Sequence, residues 1–485
     1  MNKNASDSSI PQFLKEVTDQ ISYEPLRPSI RQELEDHMND RMEEYKDQGL
    51  SAFDAERQTL RNMGDAVTIG IEINEAHKIQ KAPQLTLISA LLLCTGFIFT
   101  SFMQWRPEQM ADSSLYYITG AVILIFTVLK GYPLLIRCRK SIALLTVFLY
   151  LIQILVFIIE LITGNRLGLD NTTYFATILF VPVLTILFYC SRQNKKRVLT
   201  AALTAIVIWL LFVYAVRPFL GDTAVLIFLL SASGTVFFMI HRGILAGKKI
   251  YLYPAALAFT VLLGSPFYFS GSGRQNVEVF LSPQSSARRT LDDAYNGILI
   301  QELLSKTPLT HGLKLTPEEM MDYGTGAWYF IYGNPKNVRP DEVKSPRNIN
   351  YQLDDITLWD ILPQHYYNNY MVAVFIFLFG WIPGLGLVGA IGLFYLLLFS
   401  YTARIHGKLA SALAFSCSQC LLWQGVLYLL GNFGHQFATF PNLPLISEGQ
   451  LSIIFNMILL GLIFSAYRHD HVMEEPVNFK PITSG

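Results

Sequence analysis

Ten separate apolar runs, each close to the ~20 residues that a helix needs to cross ~30 Å of hydrocarbon, constrain this 485-residue chain more than any other feature. Their limits are Leu85 to Met103, Leu115 to Ile136, Ile142 to Ile162, Thr172 to Cys190, Leu199 to Val216, Thr223 to Ile240, Ile250 to Phe269, Tyr370 to Phe399, Leu409 to Leu430 and Leu451 to Tyr467. The expected fold class is therefore all-α: a polytopic membrane protein with about ten transmembrane helices, a large extracellular loop between helices 7 and 8, and a small cytoplasmic N-terminal helical domain. A chain this long would otherwise suggest about three soluble domains. Its composition, 52% hydrophobic against 15% charged with a mean hydropathy of +0.34, excludes that. The eighth run is overlong and is expected to bend at Pro383 and Gly384.

The boundaries that follow are a cytoplasmic acidic head over 1–83, helices 1–7 over 84–269, the large extracellular loop over 270–369, helices 8–10 over 370–470, and a cytoplasmic tail over 471–485. In the head, Phe13, Leu14 and Val17, then Ile30, Leu34, His37, Met38, Met42 and Tyr45, recur at three- and four-residue steps, which is helical spacing. Gly49 stops a helix, and Ser51 with Asp54 and Glu56 opens the next. Asp65 after Gly64 caps a further helix carrying Val67, Ile69, Ile71 and Ile73. Three or four helices are expected. Residues 1–81 hold sixteen acidic and ten basic side chains, so the head is net negative and avoids anionic lipid. It shows no charged start, apolar core and cleavage site, so the N-terminus is expected to stay in the cytoplasm.

Orientation follows from Lys and Arg, which short cytoplasmic loops retain. With the head inside, the inner loops carry twelve, namely Arg137, Arg139 and Lys140; Arg192, Lys195, Lys196 and Arg197; Arg242, Lys248 and Lys249; and Arg404 with Lys408. The short outer loops carry three, Arg106, Arg166 and Arg217. Plasma-membrane localisation with both termini cytoplasmic is the expectation. The 270–369 segment is too long for a turn, has helical stretches at Leu291 to Leu304 and Pro317 to Tyr323, and is the kind of loop that carries function.

Several chemistries are excluded. The formal net charge is zero, so no global field draws the chain to nucleic acid. Gly384, Gly386 and Gly389 spell a G-x-G-x-x-G, but inside an apolar span, where small-residue helix packing accounts for them better than a dinucleotide. Cys417 and Cys420 form a C-x-x-C within the ninth span and read as a buried helix face. The other cysteines, Cys94, Cys138 and Cys190, also lie in or beside apolar stretches, which supports neither a disulfide framework nor a zinc ribbon. Glu33, Asp36, Asp40 and Glu44 form an acidic row that reads as a solvated face rather than a cation site. Lys130 and Glu160 lie toward span ends and demand no proton pathway. No metal ligand set and no cofactor are evident.

The most specific wording comes late. Leu443, Pro444, Leu445, Ile446, Ser447, Glu448 and Gly449 precede the last span, and Gly431, Asn432, Phe433 and Gly434 lie upstream. This resembles the shape, elongation, division and sporulation family, the FtsW/RodA/SpoVE proteins, whose last outer loop reads LPxISYGG. Ten spans with a large loop between the seventh and eighth resemble that family too. Arg217 to Thr223 are similar to its P-x-L-G-T motif at the sixth span, and Arg274 with Phe280, Leu281, Ser282 and Pro283 to its R…FLxP. Leu362 and Pro363 are placed like its LP, and Tyr295 like its loop tyrosine. The resemblance covers roughly residues 85–470. The head, with ELEDH at Glu33 to His37 and MGD at Met63 to Asp65, separately resembles a permease prefix domain.

The resemblance implies polymerisation of lipid-linked peptidoglycan precursor, lipid II, at the outer membrane face, with a class B penicillin-binding protein as partner. It implies a cavity lined by Arg274, Pro283, Thr439, Pro444, Ser447 and Gly449, and a divalent cation is compatible with a diphosphate leaving group. Such a transfer needs a base for the sugar hydroxyl and cations for the departing diphosphate. The family assigns the base to an Asp in an HTDFIF motif. Counting back from Gly380, Trp381 and Ile382 puts Asn369 at that position and Tyr367 at the motif's His. An amide cannot accept the proton. The second loop arginine is Asn276, the glycine-rich stretch is replaced around Ser305 to Pro308, and the SYGG tyrosine is Glu448. Asp354, Asp355, Asp360 and Glu448 are the carboxylates available as substitutes; the structural readings are a solvated loop face for the first three and a helix N-terminal acid for the last. Three readings stand open: a relative with weakened or absent polymerase chemistry that binds precursor or a penicillin-binding protein, an active glycosyltransferase using another carboxylate, and a lipid-linked precursor transporter.

Overall fold

The computed structural model describes residues 9–103, 107–163, 170–216, 222–268, 271–286, 292–323, 357–363, 365–447 and 449–473. The protein is all-α and polytopic, with two compact units, Met1–Lys81 with Tyr467–Gly485, and Ala82–Ala466.

In the first unit, α1 (Ile10–Asp19), α2 (Arg27–Asp47), α3 (Ala52–Met63) and α4 (Ala66–Ala76) bury a small core of Phe13, Leu14, Val17, Met38, Leu60 and Ala66. Positions i, i+1 and i+4 of α1 share one face, which is why its apolar triplet turns inward. His37 does not join that core: it is exposed, and of the α2 stripe only Ile30 and Met38 are buried. On α4, Ile69 and Ile73 pack inward while Val67 and Ile71 are exposed, because residues two apart point to opposite sides of a helix. Gly49, at φ 95°, ends α2, Ser51 Oγ accepts from the Asp54 amide at 3.1 Å, and Asp65 Oδ2 accepts from the Thr68 amide at 2.9 Å and its hydroxyl at 2.8 Å. The acidic row of α2 is exposed throughout. Residues from the other end of the chain complete this unit: the Gln80 amide donates to the Arg468 carbonyl at 3.3 Å, and the Tyr23 and His469 rings meet edge-on at 6.1 Å.

The second unit begins with α5 (Pro83–Met103), α6 (Pro107–Thr163), α7 (Asp170–Ser191), α8 (Lys195–Val216), α9 (Asp222–His241) and α10 (Lys249–Tyr268). Shorter helices follow, α11 (Gly271–Leu281), α12 (Asp292–Lys306), α13 (Pro317–Tyr323), α14 (Leu358–Ile361), α15 (Tyr366–Asn369) and α16 (Met371–Phe379). The long α17 (Trp381–Ala403), α18 (Lys408–Asn432) and α19 (Gln450–His469) complete the chain. Among the described residues eight stretches are long and apolar enough to cross a membrane. The Ile142 to Ile162 run continues α6 without a turn, so the loop expected at Arg137 to Lys140 is helix. No glycine or proline separates Ile136 from Ile142 to break it. Helix α10 carries Pro254 and Pro266 inside it.

Burial sorts the long helices. The spanning stretches of α7 and α9 are 72% buried, against 28% for α8. Threonine and serine make close contact possible in the interior, as with Thr177 and Thr185 on α7 and Ser231 and Thr235 on α9. The outer helices instead expose apolar stripes to lipid; Leu199, Leu203, Val207 and Leu211 recur every fourth residue along α8. Trp209 of α8 stacks on Phe228 of α9 with centroids 3.8 Å apart and donates from Nε1 to the Leu263 carbonyl of α10 at 2.9 Å, tying three helices together. None of the five cysteines forms a disulfide, and Cys417 and Cys420 are buried on α18.

The eighth apolar run is broken, but not where expected. Gly380, at φ 90°, separates α16 from α17, whereas Pro383 lies in the first turn of α17, where its missing amide costs no intrahelical bond. Gly384 packs against Ile376 of α16; Gly386 and Gly389 meet nothing within 4 Å, so helix packing explains only the first of those three glycines. The chain after α12 clamps the break: the Trp381 amide donates to Pro308 O at 3.1 Å, Ile382 to Leu309 O at 2.8 Å, and Leu313 to Phe377 O at 2.7 Å.

A Cβ at 380 would stand 2.9 Å from the backbone of His311 and Leu309 in a conformation that L side chains rarely adopt, so Gly380→Ala should cost about 2–4 kcal/mol, read as a lowered unfolding midpoint in detergent. In the head, hydrogen bonds from the Thr68 hydroxyl and then its amide hold the Asp65 carboxyl below the usual range. A depressed folded value means that its stabilisation is complete above the unfolded range and is lost as pH falls through the folded one. Protection of the α4 amides, measured as exchange relative to the intrinsic rate at each pH, should fall on acidification, and Asp65→Asn should flatten that dependence.

Candidate functional site

Helix α16 is only nine residues long and lies in the interior, with Met371 to Val374, Ile376 and Phe377 all buried. Its first amides have no intrahelical acceptor, and each left unpaired in an apolar interior would cost roughly 1–3 kcal/mol. Two side chains of α18, one turn apart, supply the acceptors. Asn432 Oδ1 accepts from Val372 at 3.1 Å and Ala373 at 3.0 Å, and Tyr428 Oη accepts from Met371 at 3.1 Å. The same groups donate to the residues just before the helix: Asn432 Nδ2 to the Asn369 carbonyl at 2.9 Å, and the Tyr428 hydroxyl to the Asn368 carbonyl at 2.7 Å. Ser447 Oγ closes the set, donating to the Asn368 carbonyl at 2.6 Å and lying 2.9 Å from its Oδ1.

The connector from α18 to α19 holds this set in place by binding five helices. The Tyr370 hydroxyl, next to α16, donates to Gln436 Oε1 at 2.6 Å, and Gln436 Nε2 donates to the Ala438 carbonyl at 2.9 Å. Thr223 Oγ1 at the start of α9 meets the carbonyls of Phe437 at 2.7 Å and Thr439 at 2.6 Å. His435 Nδ1 faces the Phe280 carbonyl of α11 at 2.8 Å, so that nitrogen carries the proton, and Tyr117 of α6 donates to the Ile446 carbonyl at 2.9 Å. Leu445 has φ 74°, a costly conformation for a bulky residue that persists only where its surroundings fix it. Gly96 of α5 is one such surrounding, since a Cβ there would lie 2.5 Å from Leu445 O and 2.6 Å from Ile446 Cα.

Against this geometry, Asn369 is half-buried at the end of α15, its carbonyl held by Asn432. Tyr367 pairs with His365 Nδ1 at 3.0 Å. Asp360 is engaged locally: Oδ2 accepts from the Thr357 amide at 2.9 Å and hydroxyl at 2.7 Å. Burial and then the Asp360 charge push the neighbouring Tyr366 hydroxyl up. Asp354, Asp355 and Glu448 lie outside the described residues. Of the six cavity side chains, Ser447 joins the network around Asn368, and Thr439 is exposed beside Thr223, with their hydroxyls 3.4 Å apart. Pro283 and Pro444 are buried in turns, the Gly449 amide donates to Ser452 Oγ at 2.6 Å, and Arg274 is exposed on α11. Tyr295 is a structural donor: its hydroxyl gives its proton to the Tyr323 carbonyl at 3.0 Å, and burial, with Glu302 and Tyr323 nearby, pushes it up to about 12.

Two features escaped the sequence reading. Asn276, where the resemblance implies an arginine, is buried and donates to Asp222 Oδ2 at 2.7 Å. The signal was present in Asp222 itself, a carboxylate inserted ahead of Thr223 where the resembling motif has none. Asn432, the hub of the network, sits in the Gly-Asn-Phe-Gly wording but gave no sign of its role, because its partners are sixty residues away in sequence.

The described groups around positions 368 and 369 are amides, hydroxyls and carbonyls. They can bind and orient polar ligand atoms, and the positive end of α16 is already saturated by Tyr428 and Asn432. No protein-family model and no curated protein matches the chain. A solved structure described as "Structural coordination of polymerization and crosslinking by a peptidoglycan synthase complex" is similar at a TM-score of 0.49 and 17% identity, over 80% of this chain and 97% of that one. With that score and identity, the likeness carries neither fold nor function over to this chain.

Asn432→Ala removes the acceptor for two buried amides and the donor to Asn369, and is expected to cost about 3–5 kcal/mol, seen as a lowered unfolding midpoint. Asn432→Asp keeps the acceptors and loses the donor, so it should fall between wild type and alanine.

Proposed function

We propose that this membrane protein acts in peptidoglycan synthesis as an FtsW/RodA/SpoVE-like protein that holds lipid-linked precursor, lipid II, with weakened or absent polymerase chemistry of its own. One observation carries the reading: the position that the sequence resemblance gives to the general base is an asparagine, its main-chain carbonyl held by Asn432, next to Asn368, whose carbonyl accepts from Tyr428 and Ser447. The carboxylates described nearby have other partners, Asp360 in Thr357 and Asp222 in Asn276. Removal of a general base costs ~10²- to 10⁴-fold, which turns a polymerase into a binding protein. In this reading the cleft opens outward beneath the 270–369 segment, a divalent cation accompanies the diphosphate, and a class B penicillin-binding protein is the partner. Both termini are placed in the cytoplasm of a cell whose plasma membrane the chain spans; the contact of Tyr23 and Gln80 with Arg468 and His469 supports a common side for the two ends.

A second reading, an active glycosyltransferase, is favoured by one observation. Glu448 is the direct neighbour of Ser447, whose hydroxyl reaches Asn368, so a carboxylate is one residue from the network.

Purified wild type supplied with lipid II should bind it without forming glycan strands, and Asn369→Asp should raise strand formation by a hundredfold or more. Strand formation by wild type that disappears in Glu448→Gln or Asp360→Asn would establish the second reading instead. Movement of lipid II across vesicles without polymerisation would point to a transporter.

A further inference from the structure

The helices α7 to α10 line a half-open apolar groove of about 210 Å³ that the proposed chemistry does not use. Its walls include Phe188 of α7, Ala202 of α8, Ile240 of α9, and Ala255 and Phe259 of α10, and it reaches Lys195 and Lys248 at one end. The turn after α9 is tied to the turn after α7 by the Ala246 amide, which donates to the Arg192 carbonyl at 2.9 Å, so the mouth is formed by fixed backbone. Arg192 is occupied, with its guanidinium 3.7 Å from the Tyr189 ring centroid and bonded to the Tyr189 carbonyl. Lys195 and Lys248 are different: both are exposed, and neither ammonium group makes a hydrogen bond or ion pair among the described residues.

The flanks identify the solvent. Leu199 and Leu203 on α8, and Ile250, Leu257 and Val261 on α10, are exposed apolar side chains of the kind that face lipid, so the groove opens toward hydrocarbon along its length and toward water only at its lysine end. Its volume is below the ~300–1,000 Å³ of sites that enclose a drug-sized ligand, which suits a chain and not a sugar headgroup. We propose that this groove binds an anionic phospholipid, with one acyl chain between α8 and α10 and the phosphate at Lys195 and Lys248. Two cations at the mouth of an apolar slot select a lipid by charge at one end and by shape along the rest. The site is separate from the Asn432 network and does not depend on whether lipid II is polymerised.

The test uses the full chain in phosphatidylcholine nanodiscs doped with phosphatidylglycerol, followed by extraction and native mass spectrometry of the retained lipid. Wild type should retain phosphatidylglycerol above its share of the membrane. The double variant Lys195→Gln/Lys248→Gln should lose this preference, by roughly fivefold for each lysine, while Lys195→Arg/Lys248→Arg keeps it. Ala202→Phe, which fills the slot, should abolish retention; the lysine variants are at exposed positions and report even if this one fails to fold. Equal retention of phosphatidylcholine, or indifference to both lysines, overturns the proposal. So does a site from which inorganic phosphate displaces the lipid and to which phosphate still binds in Ala202→Phe, since that would be an anion site without the groove.

Discussion

A nine-residue helix in an apolar interior exposes amides that nothing in its own length can satisfy, and much of the membrane unit is arranged around meeting that requirement. Backbone inside hydrocarbon is tolerated only when other protein groups pair with it. Asn432 and Tyr428 do so by doubling as acceptors for α16 and donors to the carbonyls that precede it. Each side chain therefore fixes the geometry on both sides of the Asn369 to Met371 corner, and Ser447 holds the same corner from the connector. The break at Gly380 is the other half of this arrangement, since it lets α16 end against the chain following α12 while α17 starts on a new axis.

The connector between α18 and α19 is where sequence wording and geometry coincide. Residues that could be read as a loop motif, Leu443 to Ser447, are buried and make backbone contacts with α5 and α6 and side-chain contacts with Asn368. The positive φ of Leu445 is maintained by this packing rather than by local preference. A substitution at Ser447 therefore perturbs both this packing and the hold on Asn368.

Much of the architecture is legible because lipid enforces it. Apolar runs of span length, the caps at Ser51 and Asp65, and the helix stop at Gly49 all follow from local rules that the fold obeys. What failed did so for physical reasons. Apolar length does not locate a turn when the intervening residues, Arg137 to Lys140, are themselves good helix formers. A proline does not mark the bend when it sits in a first turn, as Pro383 does, and a glycine clamped by distant backbone, Gly380, gives no sequence sign of that clamp. The resemblance singled out Asn369 and Ser447, and the structure brings the Ser447 hydroxyl to the neighbouring Asn368. The wiring of the site was not legible, because Asn432, Tyr428 and Asp222 act through partners between 54 and 63 residues away.

The pairing of the two chain ends within one unit has a consequence for biogenesis. Tyr23 and Gln80 leave the ribosome early, yet their partners Arg468 and His469 arrive only after the last helix has been made. Until then the head is an incomplete unit, and a chain that stalls or is clipped before α19 keeps it so. The fold thus makes the last helix a condition for completing a unit whose first residues were made long before.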